Sequence, residues 1–384
     1  MDYNKQALRL HKKYHGKIEI NSKIPLKSKD DLSAAYTPGV GAVCNEIAKN
    51  KRKSWELTNR ANQVAIVSDG TAILGLGNIG PEAGMPVMEG KSVIFKKFAN
   101  VDALPLCINT TDTEEIIKFC KQIEPSFGGI NLEDISAPRC FEILARLEKE
   151  LNIPVFHDDQ DGTAIVVLAG LINACRVTGK VLKELRIVIS GMGAAGIAIA
   201  RLLIAFGLKD LVLLDSKGII GNNRKDLNKY KKEILAKIKN TKCHLGEKNK
   251  GTKEDAVVCA DAYVGVSKPK QLTSDMIKKM NIEPIIFAMA NPVPEIMPDD
   301  AKKAGAAIIA TGRSDFDNQI NNALVFPGIF RGLLDGETKK IDINLKKKIA
   351  IALAYSVKKP TKNKIIPSIS ERKVVKVISE AVRG

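Results

Sequence analysis

With 384 residues and 45% hydrophobic side chains, the chain can bury a full core and is long enough for two domains of ordinary size. A formal charge of +17 would suit a nucleic-acid partner, but the excess is lysine spread along the chain, and only 5% of residues are aromatic, which leaves few stacking platforms for bases. Seven cysteines (44, 107, 120, 140, 175, 243 and 259) form no CxxC pair and point to neither a disulfide framework nor a zinc cage, so a reducing cytoplasm is the expected setting.

The opening MDYNKQALRLHKKYHGK is charged where an export signal would need an unbroken apolar stretch. Further on, AAYTPGV sets Tyr36 just before a Pro-Gly turn, a rigid place from which to present a phenol, although a tyrosine there also serves for packing. A strand is expected over Gln63 to Ser68, then a first GxGxxG match, Gly75 to Gly80, running into Pro81 and Glu82. No long helix is expected directly behind it, so it reads as a loop lining a cleft or, equally, a plain turn. Residues 87 to 98 set Val87, Met88, Ile94, Phe95 and Phe98 on one face of a helix started by Pro86. Lys91 shares that face. Burial there would lower its pKa toward a value fit for accepting a proton, unless the side chain snorkels past its neighbours.

After a second strand, Ala103 to Asn109, helical segments alternate with the β-type runs FGGIN, PVFH, RIVIS, LVLL, AYVGV, PIIFAM and AAIIA. That alternation predicts parallel sheets built from βαβ crossovers. Glu133 and Asp134 follow FGGIN, a helix covers Pro138 to Leu151, and PVFH ends in Asp158 and Asp159. One crossover thus brings two acidic pairs to the carboxyl edge of neighbouring strands. Either pair alone would be read as a helix cap or a solvated strand end, but four carboxylates together repel unless a hard cation such as Mg²⁺ or Mn²⁺ neutralises them. The longest apolar run, Ala164 to Cys175, is interrupted by Asn173 and falls short of the roughly 20 residues that cross a bilayer, so no membrane span is expected.

The second GxGxxG, with Gly191, Met192, Gly193, Ala194, Ala195 and Gly196, follows the strand LRIVIS, opens an apolar helix and precedes the strand LVLL, which ends in Asp215. This is the dinucleotide-binding layout: Gly191 for the tight turn, Gly193 for approach of the pyrophosphate, Gly196 for close packing of helix on strand. Asp215 would bind the ribose hydroxyls and repel a 2′-phosphate, favouring NAD, while Lys217 keeps NADP open. The polar stretch from Asn222 to Asp255 has helical spacing at Leu227, Tyr230, Ile234, Leu235 and Ile238. The expected plan is an α/β substrate domain over 1–160 and a Rossmann-type, doubly wound parallel sheet over 161–384 with a C-terminal helical segment.

With these motifs in order, the chain resembles the malic enzymes of the short bacterial and archaeal form. YTPGV at 36–40, GLGNIG at 75–80, MEGKSVIFKKFANVDALPLCINT from 88, NLEDI at 131–135, HDDQDGT at 157–163, GMGAAG, MANP at 289–292 and NQINNALVFPG at 318–328 carry the likeness. The resemblance implies oxidation of malate to pyruvate and CO₂ with reduction of NAD or NADP, Tyr36 as general acid and Lys91 as general base. It also implies Glu133, Asp134 and Asp159 as ligands of Mg²⁺ or Mn²⁺, Asn291 against cofactor or substrate, Asn321 or Asn322 against the substrate carboxylate, and a homodimer or higher homo-oligomer. Two departures stand out: Asp161 where many short forms carry His, adding negative charge beside the acidic cluster, and Ala72 where larger forms carry a substrate-binding arginine.

Two other readings compete. A dehydrogenase of the amino-acid type shares a two-domain plan without a divalent metal, and a nucleotide- or nucleic-acid-binding protein would keep GMGAAG but have no use for the acidic pairs. The expected partner is a small dicarboxylate, which a positive surface field helps to gather, with no nucleic acid and no membrane.

Overall fold

A computed structural model of the chain describes residues 2–238, 251–371 and 373–384. Cys243 and residues 239–250 of the polar stretch lie outside the described residues; within it, a helix covers Lys229–Leu235.

Two sheets organise the described residues. The first has four strands, all parallel, in the order β2 (Asp102–Cys107), β1 (Gln63–Ser68), β3 (Gly129–Leu132), β4 (Val155–His157). The second has six strands in the order β10 (Ile308–Thr311), β9 (Ile285–Ala288), β8 (Ala262–Gly265), β5 (Ile187–Ser190), β6 (Leu211–Asp215), β7 (Gly218–Ile219), and only the short β7 runs antiparallel. These strands are nearly continuous runs of Val, Ile, Leu and Ala because parallel strands are covered on both faces by their crossover helices. The strand order reverses beside β5, where the chain leaves toward β6 on one side and returns to β8 on the other, and an open α/β sheet binds its ligand at such a point.

The helix Thr163–Thr178 is apolar all round, and Ala164 to Cys175 are each buried. Its Asn173 donates to the carbonyls of Ala354 (2.7 Å) and Ile365 (2.8 Å), which satisfies the amide inside the core. By length and composition 158–178 could cross a membrane, but here most of that stretch is buried inside the fold. The helix Phe326–Asp335 returns late in the sequence to the first sheet, where the Phe95 ring lies 4.7 Å from that of Phe326 and 5.4 Å from that of Phe330. One apolar cluster therefore runs through both sheets.

The helix that carries Lys91 begins earlier than its proline pattern suggests. It spans Pro81–Ala99, with Gly80 at φ +85° turning the chain into it and Pro81, not Pro86, in the first turn. Both prolines satisfy the same preference for a helix start, but Pro81 directly follows the turning glycine, and Pro86 is carried inside at the loss of one backbone donor. The first glycine motif therefore does lead directly into a long helix.

Candidate active site

The acidic pairs are positioned by strand register. β3 and β4 are parallel neighbours with Leu132 opposite His157, so Glu133 and Asp134 leave one strand at the level where Asp158 and Asp159 leave the other. Glu133, Asp134 and Asp158 are buried, and the Asp159 side chain is partly open. Asp134 adopts φ +51°, a region non-glycine residues rarely occupy, and from there its backbone N–H donates to Asp159 Oδ2 at 2.9 Å. A π-helical turn over Asp158–Gly162, a form often found at functional sites, then starts the core helix.

Lys91 reaches this edge from the opposite element. The buried face of its helix is Gly84, Met88, Lys91, Ser92, Phe95 and Ala99, so the ammonium is carried inward with the apolar stripe. Its Nζ sits 2.9 Å from Glu133 Oε1, hydrogen-bonds Asp158 Oδ2, and lies 4.7 Å above the Phe326 ring. Asp158 is thus the partner of the amine, a pairing the carried-over ligand set omits. No local spacing carries a signal of it, because Asp158 and Asp159 lie in the π-helical turn beyond β4 rather than in the strand.

Burial alone would lower the Lys91 pKa, as expected from its place on the apolar face, but the charges of Asp158, Glu133 and Asp159 reverse the sign and hold it above the ordinary lysine value. This corrects the expectation of a lowered pKa in the metal-free arrangement. The carboxylates answer in kind. Burial and the charge of Asp158 raise Glu133 and Asp159, and burial with the charge of Asp159 pushes Asp134 up to about 8. Burial would raise Asp158 too, but the Lys91 ammonium keeps it below the usual carboxylate range.

Oxygens of Glu133, Asp134 and Asp159 lie within 4.8 Å of one another, and Asp134 Oδ2 is buried with no hydrogen-bond partner among the described residues. Three carboxyls raised by burial and mutual repulsion, with an orphaned oxygen among them, form an all-oxygen donor set that fits Mg²⁺ or Mn²⁺. His157, with Asp158 and Asp159, forms an overlapping group; its ring is buried, with neither nitrogen hydrogen-bonded among the described residues. Asp161 adds no free charge beside the cluster, because it pairs with Lys346 at 2.7 Å from the helix Ile343–Ser356.

The first glycine loop joins this edge to the second sheet. The Ala72 N–H donates to the carbonyl of Asp134 at 2.9 Å, and a Cβ built on Gly75 would stand 2.2 Å from the carbonyl oxygen of Asn291. Asn291 precedes a cis proline, and its side chain lies against Gly312 at the end of β10. Gly75 thus has a steric reason to lack a side chain, and residues 70–80 form a loop tied to both sheets.

At the second motif the three glycines show three different environments. Gly191 has φ +107°, and a Cβ there would meet Val266 O at 2.5 Å; a Cβ on Gly196 would meet Gly191 O at 1.9 Å; one on Gly193 would meet nothing within 4 Å. The first two are packed against backbone. Gly193 faces open space before Ala194 and Ala195 at the start of the helix Ala194–Phe206, with Met192 buried beside it, leaving room for a pyrophosphate at the helix N-terminus. Asp215 ends β6 as expected, but its carboxylate is not free: Arg224 grips it with two nitrogens (2.7 and 3.1 Å) and Lys231 with one (2.6 Å). Burial would raise this carboxyl, yet those hydrogen bonds hold it below its ordinary value.

Tyr36 and the asparagines are placed less directly. Tyr36 ends the helix Lys29–Ala35, is 67% exposed, and its hydroxyl touches neither Lys91 nor the carboxylates. Asn321 is committed locally, its Oδ1 accepting from Ala323 N (2.9 Å) and its Nδ2 donating to Gly312 O (3.3 Å). Asn322 comes nearer the chemistry, since a Cβ on Gly162 would stand 3.1 Å from its own Cβ, beside the turn that carries Asp158 and Asp159.

Comparison with known proteins agrees with this geometry. Residues 15–148 match the malic enzyme N-terminal domain and residues 160–383 the malic enzyme NAD binding domain. The chain is 49% identical to the bifunctional malic/malolactic enzyme of Bacillus subtilis, over 100% of this chain and 92% of that protein. It is 52% identical to the NAD-dependent malic enzyme of Geobacillus stearothermophilus, over 96% of this chain and 76% of that one. Among solved structures, the NAD-dependent malic enzyme of Thermotoga maritima superposes with a TM-score of 0.93 at 46% identity, covering 98% of this chain and 99% of that chain. The chain belongs to the malic enzyme family.

Proposed function

We propose that the chain oxidises L-malate and decarboxylates it to pyruvate and CO₂, passing hydride to NAD or NADP with the help of Mg²⁺ or Mn²⁺. The observation that carries this reading is the Lys91 amine seated against Asp158 and Glu133 at an acidic strand edge, which the Gly75–Asn291 contact ties to the dinucleotide sheet.

Lys91 takes the proton of the malate C2 hydroxyl as hydride leaves C2. It must first be neutral. Glu133 and Asp159 are two of the three anions that keep it charged, and their engagement by a divalent cation would leave Asp158 alone in that role. When bound, such a cation supplies Lewis acidity at the substrate oxygens, which favours loss of CO₂. Tyr36 supplies the proton that ends on C3, a role that requires its exposed hydroxyl to be brought to the acidic edge from where it stands here.

In this proposal residues 1–160 hold malate and metal, while 161–384 hold the dinucleotide through Gly191, Gly193, Gly196 and Asn291. The lock on Asp215 weakens its power to repel a 2′-phosphate, so both dinucleotides are accepted, with NAD preferred. We further propose a cytoplasmic homodimer in which the N-terminal segment packs on a second copy. Its helices Tyr3–Tyr14, Lys29–Ala35 and Val40–Lys49 contain no buried residue, and Leu8, Ile20, Leu26, Leu32 and Tyr36 are exposed.

An absorbance assay tests the reading. NADH or NADPH should form with malate and Mn²⁺ and stop on addition of a chelator, whereas chelator-resistant turnover would favour a metal-free dehydrogenase.

A further inference from the structure

Glu295 is fully buried beside the second sheet, and among the described residues no lysine or arginine pairs with it. Burial raises its carboxyl above the ordinary glutamate value. A carboxylate in such a place is costly unless hydrogen bonds replace its lost hydration. Here they come from two different strand ends. Glu295 Oε1 accepts from the Ser267 N–H at 3.0 Å, two residues beyond β8, and Oε2 accepts from the Ala290 N–H at 3.0 Å, two residues beyond β9. The two donors stand at matching height because Gly265 faces Ala288 in the parallel register. Gly265 also makes room for the side chain, since a Cβ there would stand 2.4 Å from Glu295 Cδ. From the other side, the Glu295 carbonyl accepts from the Leu272 N–H at 3.2 Å, which fixes the backbone that presents the carboxylate.

Both strand ends joined in this way lead to the dinucleotide site. A Cβ on Gly191 would meet Val266 O at 2.5 Å and Ser267 Cβ at 3.0 Å, and Ser190 Oγ lies 3.3 Å from Ser267 Oγ. The first turn of the glycine motif therefore rests on the loop that Glu295 holds. Ala290, the other donor, directly precedes Asn291, whose carbonyl oxygen lies against Gly75 and whose amide lies against Gly312.

We infer that Glu295 is a positioning residue for the dinucleotide: by bridging the carboxyl ends of β8 and β9 it holds the Gly191 turn and Asn291 at the spacing at which one cofactor touches both. This role rests on the malic enzyme reading of the second sheet and deepens it. Two substitutions disturb the bridge by different routes. Glu295→Gln keeps the size of the side chain but accepts through one oxygen only, and its NH₂ group opposes the other N–H. Gly265→Ala leaves the carboxylate in the chain and pushes it aside with a methyl group. Either change lets the two strand ends shift, and a misplacement of about 1 Å in an aligned site costs up to about 10²-fold. The acidic edge lies on the first sheet, where its register and its Lys91 contacts do not involve Glu295.

The experiment titrates the full-length protein and both variants, well below the melting temperature of each, with NADH by its fluorescence and with Mn²⁺ by electron paramagnetic resonance. In both variants the Kd for NADH and the KM for NAD should rise at least about tenfold, while the Kd for Mn²⁺ stays within about twofold. Glu295→Gln, the milder change, decides alone if Gly265→Ala does not fold. A lowered Tm with unchanged NADH affinity in Glu295→Gln would show a purely structural role and overturn the inference, as would equal loss of NADH and Mn²⁺ affinity. Failure of the unsubstituted chain to bind NADH would overturn the malic enzyme reading together with it.

Discussion

At the scale of single residues, the account turns on which carboxylate serves which partner. Asp158 holds the amine, and Glu133, Asp134 and Asp159 converge on a cation-sized space. Lys91→Ala is therefore expected to lose malate oxidation and oxaloacetate decarboxylation together, by about 10² to 10⁴-fold. Tyr36→Phe should still decarboxylate oxaloacetate slowly while tautomerising enolpyruvate poorly, and equal loss of every partial reaction in both variants would count against the two roles. The carboxyls also set a pH signature. Asp134, at about 8 when folded against 3.8 for an ordinary aspartate, binds more protons folded than unfolded across that interval. Stability of the metal-free protein should therefore fall as pH rises from about 4 to about 8, and the gain in Tm on adding Mn²⁺ should be larger at pH 8 than at pH 6. Melting curves with and without chelator check this, and a pH-independent gain would show that Asp134 is not a ligand. At the dinucleotide end, Arg224→Ala removes the fork from Asp215 and leaves a freer carboxylate. The ratio of kcat/KM for NADP over NAD should fall, and a rise would show that Arg224 acts against the phosphate instead.

Elements explain how much of this could be read before the structure. The acidic edge was legible because a βαβ unit fixes the relative height of two strand ends, and Leu132 indeed faces His157. The glycine roles were legible for the same local reason: what Gly191 and Gly196 would hit is the backbone of neighbouring elements of one compact unit. The start of the Lys91 helix was not, since Pro81 and Pro86 satisfy the same rule and only the turn at Gly80 separates them. Illegible too were the partners set by distant chain segments: Asp158 with Lys91, Asp215 with Arg224 and Lys231, Asp161 with Lys346. Nothing in local spacing says which of two adjacent acids meets a helix 67 residues away. The Asp161–Lys346 pair yields a test of its own, because both side chains are largely buried and the pair joins the turn that carries Asp158 and Asp159 to the helix Ile343–Ser356. Removing one partner strands the other, so Lys346→Met should cost about 3–5 kcal/mol in denaturant unfolding. A loss below about 1 kcal/mol would mean that water already solvates Asp161.

On the scale of the whole molecule, the decisive feature is a loop that bridges the two sheets. The loop over residues 70–80 is bonded to Asp134 on one side and pressed on Asn291 on the other, and the Phe95–Phe326–Phe330 cluster fastens the late helix to the early sheet. Residues more than two hundred positions apart, such as Lys91 and Phe326, are thereby held together. The proposed centre beside Lys91 is open to direct inspection by anomalous diffraction from crystals soaked with Mn²⁺, malate and NAD. The expected result is one manganese peak bound by oxygens of Glu133, Asp134 and Asp159, with the malate hydroxyl between it and Lys91 Nζ. A fully occupied malate with no manganese there, or manganese held only elsewhere, would contradict the proposed chemistry.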